Sequence, residues 1–179
     1  MGRGVDEAGP QRIVLVGFMG SGKSTVAPLV AQPLGWGWVD MDDRIVARAG
    51  LSIAEIFRQQ GETPFRELER EVAQELSRLE RHVLAAGGGA FSRPATRAAL
   101  QQGAVSVWLR CELKVLLSRI PPDGTRPLAG SRETIVRLFA EREPSYRLAD
   151  VAVDASAPPE EVARLVLEAV GKGPRGTSV

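Results

Sequence analysis

One cysteine, one histidine and one tyrosine occur in the 179 residues of the chain. With Cys111 alone, no disulfide can form within the chain. A chain of this length buries enough core to do without a metal or disulfide staple. Lysine is also scarce: of 23 basic residues, only Lys23, Lys114 and Lys172 are lysines. An isolated arginine is therefore weak evidence of a site, and a lysine slightly better evidence. No apolar run approaches the ~20 residues of a membrane span. The opening Met1-Gly2-Arg3-Gly4-Val5-Asp6 carries neither an apolar signal region nor the Ser or Thr of a myristoylation motif. A cytoplasmic location is the expectation by elimination. The formal net charge of +1 argues against a general nucleic-acid binder.

What is present is ordinary for one compact domain, with 44% hydrophobic and 25% charged residues. Residues 1–11 read as a frayed arm and 171–179 as a frayed tail, leaving a domain over 12–170. Short runs that are apolar throughout suit strands covered on both faces. Ile13-Val14-Leu15-Val16, Val83-Leu84-Ala85-Ala86 and Ala104-Val105-Ser106-Val107-Trp108-Leu109 are of this kind. Trp36-Gly37-Trp38-Val39 leads into another strand, and Val151-Ala152-Val153 is a short fifth. Helices lie between them. Ser52-Ile53-Ala54-Glu55 is a capping box. Phe65, Leu68, Val72 and Leu76 recur at helical spacing within residues 64–79. Ser92 before Pro94 opens another helix, and Pro158 and Pro159 begin a last one. Strand–helix alternation implies an α/β three-layer fold with a parallel sheet. The Pro-, Gly- and Arg-rich stretch 121–132 reads as a mobile loop. His82 reads as structural near a helix C-terminus, and the three tryptophans as core or half-buried packing.

Gly17-Phe18-Met19-Gly20-Ser21-Gly22-Lys23-Ser24 fits G-x-x-x-x-G-K-[ST] between a strand and a helix, the setting this phosphate cradle requires. Glycines let several N–H groups face one anion, and the helix start adds its positive dipole end. Lys23 can reach the β- and γ-phosphates and Ser24 can ligate Mg²⁺. Pro28 and Pro33 fall in the following helix, where Pro33 is expected to mark the end.

Val39-Asp40-Met41-Asp42-Asp43 closes the second strand. Read as extended chain, Asp40 and Asp42 share a face at the carboxyl edge of the sheet, where ligands bind. One carboxylate could hold the water shell of Mg²⁺ and the other accept from an attacking hydroxyl; both also fit helix-capping acids. Gly87-Gly88-Gly89 follows the third strand and allows close backbone approach to a ligand, or forms a plain tight turn. Arg66, with Glu69 three residues on, reads by itself as a surface arginine of a helix.

In their order and spacing, GFMGSGKSTV, VDMDD, SIAEIF, GETPFRELE, AAGGGA, TRPLAG and EREPSYR resemble the shikimate kinase family over about residues 12–170. The resemblance implies the P-loop kinase fold of nucleoside monophosphate kinases: a five-stranded parallel sheet, a helical substrate-binding subdomain and a lid. It implies ATP-dependent phosphorylation of shikimate with Mg²⁺, in aromatic amino acid biosynthesis, by a monomer that engages neither nucleic acid nor membrane. Gly20, Ser21, Gly22, Lys23, Ser24, Thr25 and Arg126 would bind ATP, with Ser24 and, through water, Asp40 at the metal. Asp42 would hold the reacting hydroxyl. Arg66 and Arg142 would grip the carboxylate, with Gly87, Gly88 and Gly89 beside it. Lys23, Asp42 and Arg126, the last from the lid, would be catalytic. Two arginines suit a carboxylate through bidentate, charge-assisted bonds.

Two departures stand out. The stretch 121–130 is slightly short for such a lid, and Ala155-Ser156-Ala157-Pro158 lacks an arginine often placed against the nucleotide, for which Arg119 is a candidate substitute. The rivals are a related small-molecule kinase such as one acting on gluconate, a nucleoside monophosphate kinase, and a non-catalytic nucleotide-binding module.

Overall fold

The computed structural model describes residues 10–120 and 131–171. Five strands form one parallel sheet: β1 (Arg12–Val16), β2 (Gly37–Asp40), β3 (His82–Ala85), β4 (Ala104–Arg110) and β5 (Val151–Asp154), in the order β2-β3-β1-β4-β5. All five residues of the central β1 are buried, which its continuous apolar run requires. Even Arg12 is covered; its guanidinium donates to the carbonyls of Leu79, at 2.6 Å, and of Gln102.

The helices are α1 (Lys23–Leu34), α2 (Met41–Ala49), α3 (Ile53–Gln60), α4 (Glu62–Leu76), α5 (Pro94–Gln101), α6 (Leu113–Arg119), α7 (Arg132–Tyr146) and α8 (Pro159–Gly171). α1 lies along β2 and β3 and against α8, while α4 packs on α2, α3 and α5. The group α2–α4 is the helical subdomain expected beside an α/β sheet. Because β3 and β4 flank β1 on opposite sides, the chain changes direction across the sheet there, and a crevice opens at the carboxyl end of β1.

Several local expectations need correction. Asp42 is not on a strand: β2 ends at Asp40, which caps α2 with its side chain, so Asp42 sits in the first helical turn. Pro33 does not end α1; the helix runs one residue further and closes on Gly35 at φ 62. Ser92 belongs to a short 3₁₀ turn, Ala90–Ser92, and α5 is capped by Arg93 with Pro94 first. His82 opens β3 and packs against Gly37 rather than ending a helix. Trp38, on the edge strand β2, is 45% exposed, whereas Trp108 is buried. Ser131 and Arg132 belong to the cap and first residue of α7, and Gly171 to α8. The rest of the expected lid, 121–130, lies outside the described residues.

Candidate active site

The phosphate loop leaves β1 and turns into α1. Gly20 and Gly22 hold φ 80 and 93, left-handed values that a side chain would strain. Gly22 caps α1 without a side-chain bond, and no acidic residue occupies the first turn. The helix start therefore presents N–H groups to an anion with no competing carboxylate. Lys23 is buried, and its Nζ donates to the carbonyls of Gly17 at 2.8 Å and Phe18 at 3.0 Å. Residues Gly20, Ser21, Gly22, Lys23, Ser24 and Thr25 line a cavity of about 590 Å³. Asp40, Asp42 and Gly88 reach the same cavity from neighbouring strand ends.

Asp40 does two things. One carboxylate oxygen accepts from the Ser24 hydroxyl and the other from the Asp42 amide at 2.8 Å. That second bond fixes the turn that carries Asp42. The Asp42 carboxylate lies 3.0 Å from where a Gly87 side-chain carbon would stand, and Glu69 lies 3.3 Å from the same point. A larger residue at 87 would push both acids away.

The next glycine positions explain the rest of the run. A side-chain carbon on Gly89 would meet Arg66 Nη1 at 3.0 Å and Arg142 Nη2 at 3.2 Å. Arg66 comes from α4 and Arg142 from α7, yet both guanidinium groups converge here. Arg66 is braced twice, by Glu62 at 3.1 Å and by Glu69 at 2.9 Å. Its side chain is only 14% exposed, so the isolated reading as a surface arginine is wrong. Arg142 is buried and sits over the Phe18 ring, 5.9 Å from its centre. Burial pushes the Glu69 carboxyl above its ordinary pKa, while Arg66 and Arg142 pull it back down. A buried acid beneath two arginines lessens their mutual repulsion and lets them share one site.

On the cavity wall beyond the phosphate loop, Arg119 Nη1 donates to the Ala155 carbonyl at 3.0 Å and Nη2 to the Ser156 carbonyl at 3.3 Å. It thereby ties α6 to the segment Ala155–Pro159 on the cavity wall. Of the residues expected at the site, Arg126 lies outside the described residues. All the others fall around the phosphate loop and the glycine turn. Sequence reasoning missed Tyr146, which donates from its hydroxyl to the Gly88 carbonyl. Its place one helical turn after Arg142 was the available signal.

Comparison with known proteins decides among the rivals. The model of the family described as shikimate kinase matches residues 19–171. The chain belongs to the shikimate kinase family. The shikimate kinase of Geobacter sulfurreducens is 44% identical over 149 residues, 82% of each chain. The shikimate kinase of Acinetobacter baumannii, solved in complex with shikimate, superposes with a TM-score of 0.88 at 32% identity, covering 95% of this chain and 97% of that one. The Aquifex aeolicus shikimate kinase gives 0.83 at 37% identity, covering 92% and 99%. As a shikimate kinase, the chain is an ATP-dependent phosphotransferase with an alcohol group as acceptor. The readings as a gluconate kinase, a nucleoside monophosphate kinase or a non-catalytic module give way to this one.

Proposed function

We propose that this shikimate kinase transfers the γ-phosphoryl group of ATP to the 3-hydroxyl of shikimate, with Asp42 receiving the proton and Arg66 and Arg142 holding the carboxylate. The convergence of two buried-side arginines on Gly89, across the glycine turn from Asp42, carries this reading. A bidentate guanidinium pair fixes a planar carboxylate in orientation as well as position. With the acceptor anchored at that end, its reacting hydroxyl comes within reach of Asp42. The hydroxyl oxygen bonds to the γ-phosphorus, the bond from that phosphorus to the ADP oxygen breaks, and the hydroxyl proton passes to Asp42.

Lys23 and the N–H groups at the start of α1 hold the phosphates, and Arg126 would add positive charge. Arg119 and the segment Ala155–Pro159 would embrace the adenine. The Ser24 hydroxyl and the Asp40 carboxylate form an oxygen-only pair that suits Mg²⁺, which takes few protein ligands beside phosphates and water. Ser24 and, through water, Asp40 would hold it, and when bound it neutralises charge on the phosphates. Because transfer depends mainly on positioning and charge, these residues need no covalent role. The reading also takes the protein as a cytoplasmic monomer serving aromatic amino acid biosynthesis. Among the described residues, no helix is long and apolar enough to cross a membrane.

The test is ADP release from ATP and Mg²⁺ with shikimate or gluconate as acceptor. Release should depend on shikimate. Asp42→Asn should lower turnover about 10²- to 10⁴-fold with ATP affinity unchanged. Shikimate-independent release sinks the acceptor assignment, and near-normal turnover of the variant removes Asp42 from the mechanism.

A further inference from the structure

Tyr146 is the chain's only tyrosine and the last residue of α7. Its ring is 1% exposed and tilted against Trp108, with centroids 6.2 Å apart. Packing of that kind asks only for a phenylalanine. A buried hydroxyl is costly unless it is paired, so the oxygen here has another use. It donates to the Gly88 carbonyl, and Arg142 lies one helical turn earlier, close enough for its charge to act on the phenol. A phenol has one donor and two acceptor lone pairs, so while it gives its hydrogen to Gly88 its oxygen still attracts the Arg142 cation.

The Gly88 carbonyl and the Gly89 N–H belong to one planar trans peptide, and no cis bond occurs among the described residues. Fixing the carbonyl therefore fixes the N–H on its opposite side. Three successive glycines have no side chains with which to brace their own turn, and their backbone is the freest in the chain. Backbone bonds hold its ends, from the Ala90 amide to the Gly87 carbonyl at 3.1 Å and from the Ser92 amide to the Gly89 carbonyl at 3.2 Å, and the Gly88 carbonyl between them needs a partner of its own. Tyr146 supplies it from the same helix that delivers Arg142.

We infer that Tyr146 is a positioning residue for the acceptor: its hydroxyl locks the Gly88–Gly89 peptide and the Arg142 guanidinium in one fixed relation. The turn and half of the carboxylate clamp then meet shikimate as a unit. This rests on the acceptor site proposed above.

Tyr146→Phe removes one oxygen and keeps the ring. The KM for shikimate should rise about tenfold, while the KM for ATP stays within about twofold. A shikimate KM that does not move, or both KM values rising together, overturns the inference. Should the variant fail to fold, the wild-type enzyme carries the test. Tyrosine labelled with ¹³C at Cζ then gives a single NMR line. That line should shift as shikimate is added and saturate with binding; an unmoved line at saturating shikimate overturns the inference. Shikimate-dependent ADP release by the same sample separates the two failures. Its absence sinks the acceptor site itself, and its presence with an unmoved line sinks only the role of Tyr146.

Discussion

Glu69 shows how one residue's position can reverse its plain reading. It follows Arg66 by three residues, an ordinary surface pairing on a helix, yet it is 1% exposed and lies under both Arg66 and Arg142. Burial raises its carboxyl above the ordinary 4.5. Between the unfolded and folded values, the folded protein therefore holds this proton more tightly than the unfolded chain does. The stability from this group is full below the unfolded value and is lost as pH rises through the folded one. Glu69→Gln removes that dependence. The difference in Tm between variant and wild type should move in favour of the variant between about pH 4 and about pH 8. A difference that moves toward the wild type would mean that the charged pair with Arg66 outweighs burial. At this scale the lysine and serine of the phosphate loop were legible without a structure. Arg66 and Arg142 were not, except through family resemblance. Nothing in the spacing of two arginines on different helices says that they meet.

Among the elements, α3 forms as its residues direct. The Ser52 amide donates to Glu55 Oε2 at 2.8 Å, and the Glu55 amide donates to Ser52 Oγ at 3.2 Å. Both exchanges are local, so the capping box was readable in the sequence. Ser52→Ala should cost about 1 kcal/mol and lower Tm by about 2–4 °C, with shikimate turnover unchanged. A thermal melt beside an activity assay checks this; a raised KM for shikimate would instead show that α3 helps set Arg66 on the neighbouring α4. Other elements were misread for identifiable reasons. The alternation of Asp40 and Asp42 predicts a longer β2. In fact the Asp40 side chain accepts the Asp42 amide and starts α2. α1 carries Pro28 and Pro33 inside and still continues. Packing on α8 and the sheet outweighs two missing backbone bonds. α2, α6 and α7 were not marked as helices in the sequence. α7 contains Pro144 and a mixture of charged and apolar residues that hides a helical face.

For the whole molecule, the sheet brings separate chain segments to one crevice, and ligand binding there should be visible as global stability. ADP and shikimate, each at about 100 times its Kd, should each add about 2.7 kcal/mol and raise Tm by about 5–10 °C. In Arg66→Ala the ADP increment should survive and the shikimate increment should vanish. Loss of both would mean that the substitution damages the fold; retention of both would remove Arg66 from the clamp. The sequence by itself determined the phosphate loop of this protein. The phosphate loop is a contiguous motif, and its strand, glycines, lysine and helix act on one another within a few residues. It also determined the α/β class, because unbroken apolar runs between amphipathic stretches leave few other ways to bury both. The grouping around the glycine turn, which no local pattern shows, was decided by the tertiary structure. Arg66, Glu69, Gly89, Arg142 and Tyr146 come from separate segments, and only the packing of α4 and α7 around the β3 turn makes them neighbours. Their grouping arises from burial and mutual approach, which have no local period for a sequence to display.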